Sequence, residues 1–268
     1  MEKFRKALSK VQQEQPVEFK ETGTGPAAGQ NRRKDPEWVS PVYSKSRKAA
    51  LDRSAALASR CIALAGQAHP AMEHYKVLRT QIQQRMEKNK WNTLMITSPR
   101  SQEGKTVCSV NLAAAFARQY HRTVLLVDAD LRNQPICRYL GLDAEFGLMD
   151  YLLHGKPLHE VIVWPEVGGF TLISGGQRTP DGTEVLASPR MQNLVQDMKL
   201  RYKDRYIIFD VPAILDRADA MAFAPLVDCI ALVVEYGKTS MNDIRQALEL
   251  IPRERFLGFI LNRAPRTG

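Results

Sequence analysis

The sequence predicts an α/β fold, a mostly parallel sheet flanked by helices, and three observations carry that prediction. Short apolar runs recur between residues 94 and 261, with helical stretches between them. Most of the runs are continuous and β-branched, the pattern of strands buried on both faces. One of them, 93–97, passes through a loop ending in Gly104-Lys105-Thr106 into an Ala-rich helical pattern over 107–120. Strand alternating with helix in this way places a parallel sheet in one domain over residues 71–268.

Taken in order, residues 1–70 stand apart by composition and read as a basic, largely disordered N-terminal segment. Within it, 21–41 is rich in Gly, Pro, Thr, Asn and charge and lacks a hydrophobic period, as a linker does. Two stretches, 3–13 and 46–65, have helical patterns too short to bury much surface alone. Residues 72–87 then carry Tyr75, Leu78, Ile82 and Met86 on one stripe of a helix. Strands are expected at 94–96, 124–127, 170–173, 206–209, 229–234 and 257–261. Helices at 107–120, 183–202 and 242–251 lie among the connections. No internal repeat is visible.

With 44% hydrophobic and 25% charged residues, a chain of 268 has the composition of an ordinary globular protein and ample length for a core. No apolar run approaches the ~20 residues of a membrane-spanning helix, and no apolar stretch of the signal-peptide kind follows the charged N-terminus. Cys61, Cys108, Cys137 and Cys229 lie far apart without a CxxC or Cys/His ligand pattern. They read as buried thiols of a reducing cytosol, not as metal ligands. Residues 1–60 hold 13 Lys/Arg against 7 Asp/Glu, a balance of +6 within the chain's +9. Such a basic segment suits an anionic membrane surface or an acidic partner, or simply solvent. Nucleic acid is not indicated, because no basic stretch is interleaved with aromatics or set on a reading motif.

The loop at 97–106 is a phosphate cradle by its context. Between a strand end and a helix start, backbone N–H groups converge on an anion and the helix N-terminus adds positive potential. Lys105 then reaches the β/γ-phosphates and Thr106 offers its hydroxyl to Mg²⁺. Arg100, Ser101, Gln102, Glu103, Gly104 and Val107 complete the nucleotide-binding set. Pro99 stands where the usual pattern has its first Gly. Two further strands end in acids, one on Asp128, Asp130 and Arg132, the other on Asp210 followed by Val211-Pro212. Ligands of open α/β sheets bind beyond the carboxyl ends of strands, so these acids face the same crevice as the loop. Mg²⁺ needs one or two carboxylates beside phosphate oxygens and water. Asp210 fits the metal-holding role, and Asp128 and Asp130 are available for metal and for an attacking hydroxyl.

The loop at 97–106, the Asp128-x-Asp130-x-Arg132 segment and the Asp210 strand resemble the Walker A, A′ and B motifs of bacterial tyrosine autokinases. That family shares a P-loop NTPase class with the septum-site and plasmid-partition ATPases. The likeness extends over 71–265 and includes Tyr139-Leu140-Gly141-Leu142, residues 146–152, Ser174-Gly175-Gly176, residues 184–191, Ala218-Asp219-Ala220, Val227-Asp228 and Leu261-Asn262-Arg263. It is nearest the subgroup linked to exosortase/PEP-CTERM exopolysaccharide loci. The resemblance implies a cytoplasmic protein tyrosine kinase dependent on ATP and Mg²⁺, peripherally associated with the inner membrane, that regulates exopolysaccharide biosynthesis and export. Its implied partner is a membrane chain-length determinant, a polysaccharide co-polymerase. Lys105, Asp128, Asp130 and Asp210 are the implied catalytic residues, and Thr106, Asp128 and Asp210 the metal-holding ones. Asn262 sits where related proteins contact the adenine.

Glu73-x-x-Lys76-x-x-Arg79 resembles the family's Glu-x-x-Arg-x-x-Arg subunit-contact motif and implies a homo-oligomer. The spacing sets all three on one broad side of a helix, although Lys76 lacks the bidentate fork of an arginine. Many members carry a C-terminal tyrosine cluster, whereas the last tyrosine here is Tyr236. The expected acceptor is therefore another tyrosine, Tyr43 first, or another protein. Two alternatives stay open. One is a partition-type ATPase switch, with Arg100 in place of a loop lysine that reaches across a dimer. The other is a degenerate nucleotide-binding adaptor docked on a membrane complex.

Overall fold

The computed structural model describes residues 46–64, 69–119, 122–201 and 205–265. The chain divides into two units, Met1–Trp38 and Val39–Gly268. The first lies wholly outside the described residues, as do Tyr43 and the pattern at 3–13.

The strands are β1 (Arg47–Lys48), β2 (Thr93–Thr97), β3 (Thr123–Asp128), β4 (Ile162–Trp164), β5 (Phe170–Ile173), β6 (Arg205–Asp210), β7 (Cys229–Glu235) and β8 (Phe256–Asn262). They form one sheet in the order β1-β4-β5-β3-β6-β2-β7-β8, parallel at every pairing except β4 with β5. The helices are α1 (Arg53–Ala58), α2 (Ala71–Lys88), α3 (Lys105–Ala117), α4 (Pro135–Leu140), α5 (Leu148–His154), α6 (Leu158–Val161), α7 (Gly182–Leu186), α8 (Pro189–Arg201), α9 (Asp219–Phe223) and α10 (Met241–Leu250).

Strands β2, β3, β5 and β6 are buried along their whole length, which is why they read as unbroken apolar runs. Successive side chains still point to opposite faces. Leu94, Ile96, Val124, Leu126 and Ile208 enter the core under α2 and α3, with Met86 and Phe116. Met95, Leu125, Val127, Ile207 and Phe209 enter the opposite core, with Leu148, Met191 and Ile244. Each such Leu, Ile or Phe contributes roughly 1.5–3 kcal/mol when fully buried. The α2 stripe is realised through Met72, Ile82 and Met86, with Tyr75 and Leu78 half-buried beside them.

Three expectations differ from the structure. The single helix expected at 183–202 is two, α7 and α8. Pro189 has no N–H to continue a helix, and the Ser188 hydroxyl accepts from the Met191 N–H at 3.2 Å to start the second. Strands β1 and β4 are too short to show a period. Of the segment 46–65 expected to be helical, the described residues 46–64 are strand at β1 and helical at α1, and the rest runs as a strap over α3 and α4. Cys61, Ile62, Ala63 and Leu64 are buried there in the α3-side core, so packed chain begins ahead of the 70/71 boundary drawn from composition. Among the described residues no helix is long and apolar enough to cross a membrane.

Candidate nucleotide site

Three strand ends make the floor of the site. Ile96 of β2 and Asp128 of β3 are both in register with Asp210 of β6, so the three carboxyl ends finish on one level. The chain leaves β2 there and α3 starts at Lys105. Gly104 makes the turn between them possible. Its φ of +93° is one that L side chains rarely adopt, and an added Cβ would run into the side-chain amide of Asn262.

The loop is held on every side. The Ser98 and Pro99 carbonyls accept from the Ile214 and Leu215 N–H groups at 2.9 and 3.2 Å. The Ser101 N–H and hydroxyl donate to Asp216 at 2.8 and 2.6 Å. Arg100 donates through Nε to Asp243 at 2.9 Å and through Nη1 to Asp216 at 3.3 Å. Glu103 is buried, and its carboxylate accepts from the Arg100 N–H at 3.1 Å and from the Thr239 hydroxyl. Asn262 Nδ2 donates to the Glu103 carbonyl at 2.8 Å, while its Oδ1 accepts from the Arg263 N–H at 2.9 Å. Asn262 is thus engaged at both ends as a clamp on the loop.

The charged groups meet at the start of α3. Lys105 Nζ lies 3.3 Å from Asp130 and 3.7 Å from Asp210. Asp210 accepts from the Thr106 hydroxyl at 2.7 Å and from the Ser109 hydroxyl at 3.0 Å. Asp128 accepts from the Asp130 and Ile136 N–H groups at 3.2 and 3.1 Å, and Asp130 from Asn133. Lys105, Thr106, Asp130 and Asp210 therefore touch directly, with Asp128 beside them. Ser109 was absent from the sequence-predicted set. Its signal was its place three residues after Thr106, on the same helix face.

Burial shapes the electrostatics. It opposes the Lys105 charge, but the attractions of Asp210, Asp130 and Asp128 outweigh it and hold the ammonium above the ordinary lysine pKa. Burial lifts Asp210 above the usual carboxylate range, against the pull of Lys105, Thr106 and Ser109. Asp128 is raised further, by burial first and the Asp210 charge second. Three carboxylates against one lysine leave an excess of buried negative charge, the condition that a divalent cation relieves. The acids do not form an all-protein metal cage. Mg²⁺ held here by Asp210 and Thr106 would draw its other ligands from phosphate and water.

The remaining predicted residues fall outside this cluster. Gln102 is exposed at the loop tip with φ of 69°, and Val107 is half-buried on α3. On α2, Glu73 and Lys76 pair with each other at 2.6 Å, and Arg79 donates to the Ala115 carbonyl of α3 at 3.2 Å. Cys61, Cys108 and Cys229 are buried and Cys137 half-buried. Burial raises all four thiols, the first two and Cys137 to about 12.

A strand, a glycine-turned loop and a helix whose first lysine and threonine reach a strand-end carboxylate define a P-loop nucleotide-binding protein. The chain belongs to the CobQ/CobB/MinD/ParA nucleotide binding domain family, whose model matches residues 94–267, and within that class to the bacterial tyrosine-protein kinases. Tyrosine-protein kinase YwqD of Bacillus subtilis is 31% identical over 192 residues, covering 71% of this chain and 80% of YwqD. Tyrosine-protein kinase ptk of Acinetobacter johnsonii is 30% identical over 200 residues, covering 74% of this chain and 27% of that relative. The chain thus spans about a quarter of the length of several curated relatives that it matches. The kinase domain of Escherichia coli tyrosine kinase ETK superposes with a TM-score of 0.70 at 31% identity, over 77% of this chain and 81% of that structure.

Proposed function

We propose that this chain transfers the γ-phosphoryl group of ATP to protein tyrosines, with Mg²⁺ held between Thr106, Asp210 and the phosphates. The carrying observation is the convergence of Lys105, Thr106, Asp130 and Asp210 at one helix start, in a chain whose relatives bear the name tyrosine-protein kinase. Lys105 neutralises phosphate charge and the loop amides orient it. Asp128 is the proton acceptor for the tyrosine hydroxyl, since its burial and its Asp210 neighbour favour the protonated form. Asp130 positions Lys105.

Among the described tyrosines, Tyr236 is 43% exposed and Tyr206 is buried, so Tyr236 joins Tyr43 as a candidate acceptor. The resemblance of residues 134–155 and 174–191 supports a role beside a membrane polysaccharide co-polymerase in exopolysaccharide export, near the exosortase-linked subgroup. Cytoplasmic placement at the inner membrane, through the basic N-terminus, belongs to the same proposal. Incubation with γ-labelled ATP and Mg²⁺, with and without a co-polymerase tail, tests the chemistry. Label is expected on tyrosine, and Lys105→Ala should lower it at least about 100-fold. Steady phosphate release with no labelled tyrosine would support the partition-type switch instead.

A further inference from the structure

We propose that the strap ahead of the family-like core forms one wall of the nucleotide site and carries contacts to the nucleoside half of the ligand. This rests on reading residues 98–106 as a nucleotide cradle. A cavity of about 580 Å³ is lined by Ala58, Ser59, Arg60, Val107, Tyr139 and Arg263. That volume is in the range that holds a small molecule, roughly 300–1,000 Å³. Its place follows from the residues. Val107 is two positions past Lys105 on α3, and Arg263 directly follows Asn262, whose amide is bonded to the Glu103 carbonyl. The cavity therefore begins where the phosphate cradle ends.

Its lining differs from the apolar cores on either side of the sheet. Two guanidinium groups, a phenol ring and a hydroxyl suit a ligand with a π face and a sugar edge, since Arg and Tyr both stack on such faces. Arg60 and Arg263 have φ of 61° and 56°, in the left-handed region that non-glycine residues seldom occupy. Such conformations persist where surrounding contacts hold them, and they gather at ligand sites.

The strap is held for this purpose by α3 itself. Asn111 is buried, accepts from the Ala63 N–H at 2.9 Å and donates to the Arg60 carbonyl at 2.8 Å. Arg118 donates to the Ala63 carbonyl at 2.9 Å. Cys61 is fully buried, and its N–H closes on the Ala56 carbonyl at 2.7 Å. Arg60 is thus an exposed side chain on a fixed backbone. Asn262, by contrast, has both ends of its amide engaged, one on the Glu103 carbonyl of the loop and the other on the Arg263 N–H.

Calorimetric titration of the full chain in Mg²⁺, with ATP and with inorganic tripolyphosphate, separates the two halves of the ligand. The variants are Arg60→Gly, which suits the left-handed backbone, and Tyr139→Leu. Each is expected to weaken ATP by about 3- to 10-fold while leaving tripolyphosphate unchanged. The proposal is overturned if both variants bind ATP like the wild type, or if they lose ATP and tripolyphosphate in equal measure. A wild-type chain that binds neither ligand overturns the nucleotide reading itself and the strap's role with it.

Discussion

At the scale of single residues, Asp128 shows how the site opposes the fold. Its carboxyl is held well above its ordinary value of 3.8, by burial first and by Asp210 second. The folded chain therefore binds that proton more tightly than the unfolded chain. Stability falls as pH rises from about 3.8 to the folded pKa and then levels off. Asp128→Asn removes the charge but turns an amide N–H toward one of the two backbone N–H groups from which the carboxylate accepts. Its melting temperature relative to the wild type is therefore expected to gain about 2–4 °C between pH 4 and pH 7, without metal or nucleotide. The gain should vanish below pH ~4, and tyrosine labelling should fail in the same variant. A difference between variant and wild type that stays the same from about pH 4 to pH 7 would refute this account. The sequence revealed Asp128, Asp130, Asp210, Lys105 and Thr106 because each sits at the end of a legible strand or the start of a legible helix. It did not reveal Ser109 on Asp210 or Thr239 on Glu103, whose partners lie 101 and 136 residues away. Nor did it show that Asn262 clamps the loop, since side-chain hydrogen bonds leave no periodic trace.

At the scale of elements, the central strands were legible because burial on both faces demands an unbroken apolar run. The strap was not. Its one helix is six residues long, and the rest is tied by side chains on α3 that no local pattern announces. What starts the helix is Asp52, whose carboxylate accepts from the Ser54 and Ala55 N–H groups at 2.8 and 3.1 Å. Asp52→Ala should cost about 1 kcal/mol, the usual loss for an N-cap. Hydrogen exchange over residues 53–64 is expected to quicken while the amides of β2 and β6 keep their protection. Uniform loss of protection across the sheet would show that the strap is inseparable from the main fold.

At the scale of the whole molecule, the question is what the exposed side of α2 meets. Glu73 and Lys76 pair across one helical turn and are exposed, whereas Arg79 is tied to α3 of its own chain. Exchanging the pair, Glu73→Lys with Lys76→Glu, should leave stability within about 0.5 kcal/mol. The proposed subunit contact predicts that light scattering then reports a smaller assembly. An unchanged mass would remove that role from the pair. The bond from Asn262 to Glu103 spans 159 residues of chain, and β2 takes its sheet neighbours from β6 and β7. That span has a meaning in time. During synthesis the phosphate loop leaves the ribosome long before the strands that flank it and the amide that clamps it, so contacts of this order form late. A nascent chain that already displays Gly104-Lys105-Thr106 owns the words of the motif but no grip. Nucleotide capture is therefore expected only once residue 262 has emerged.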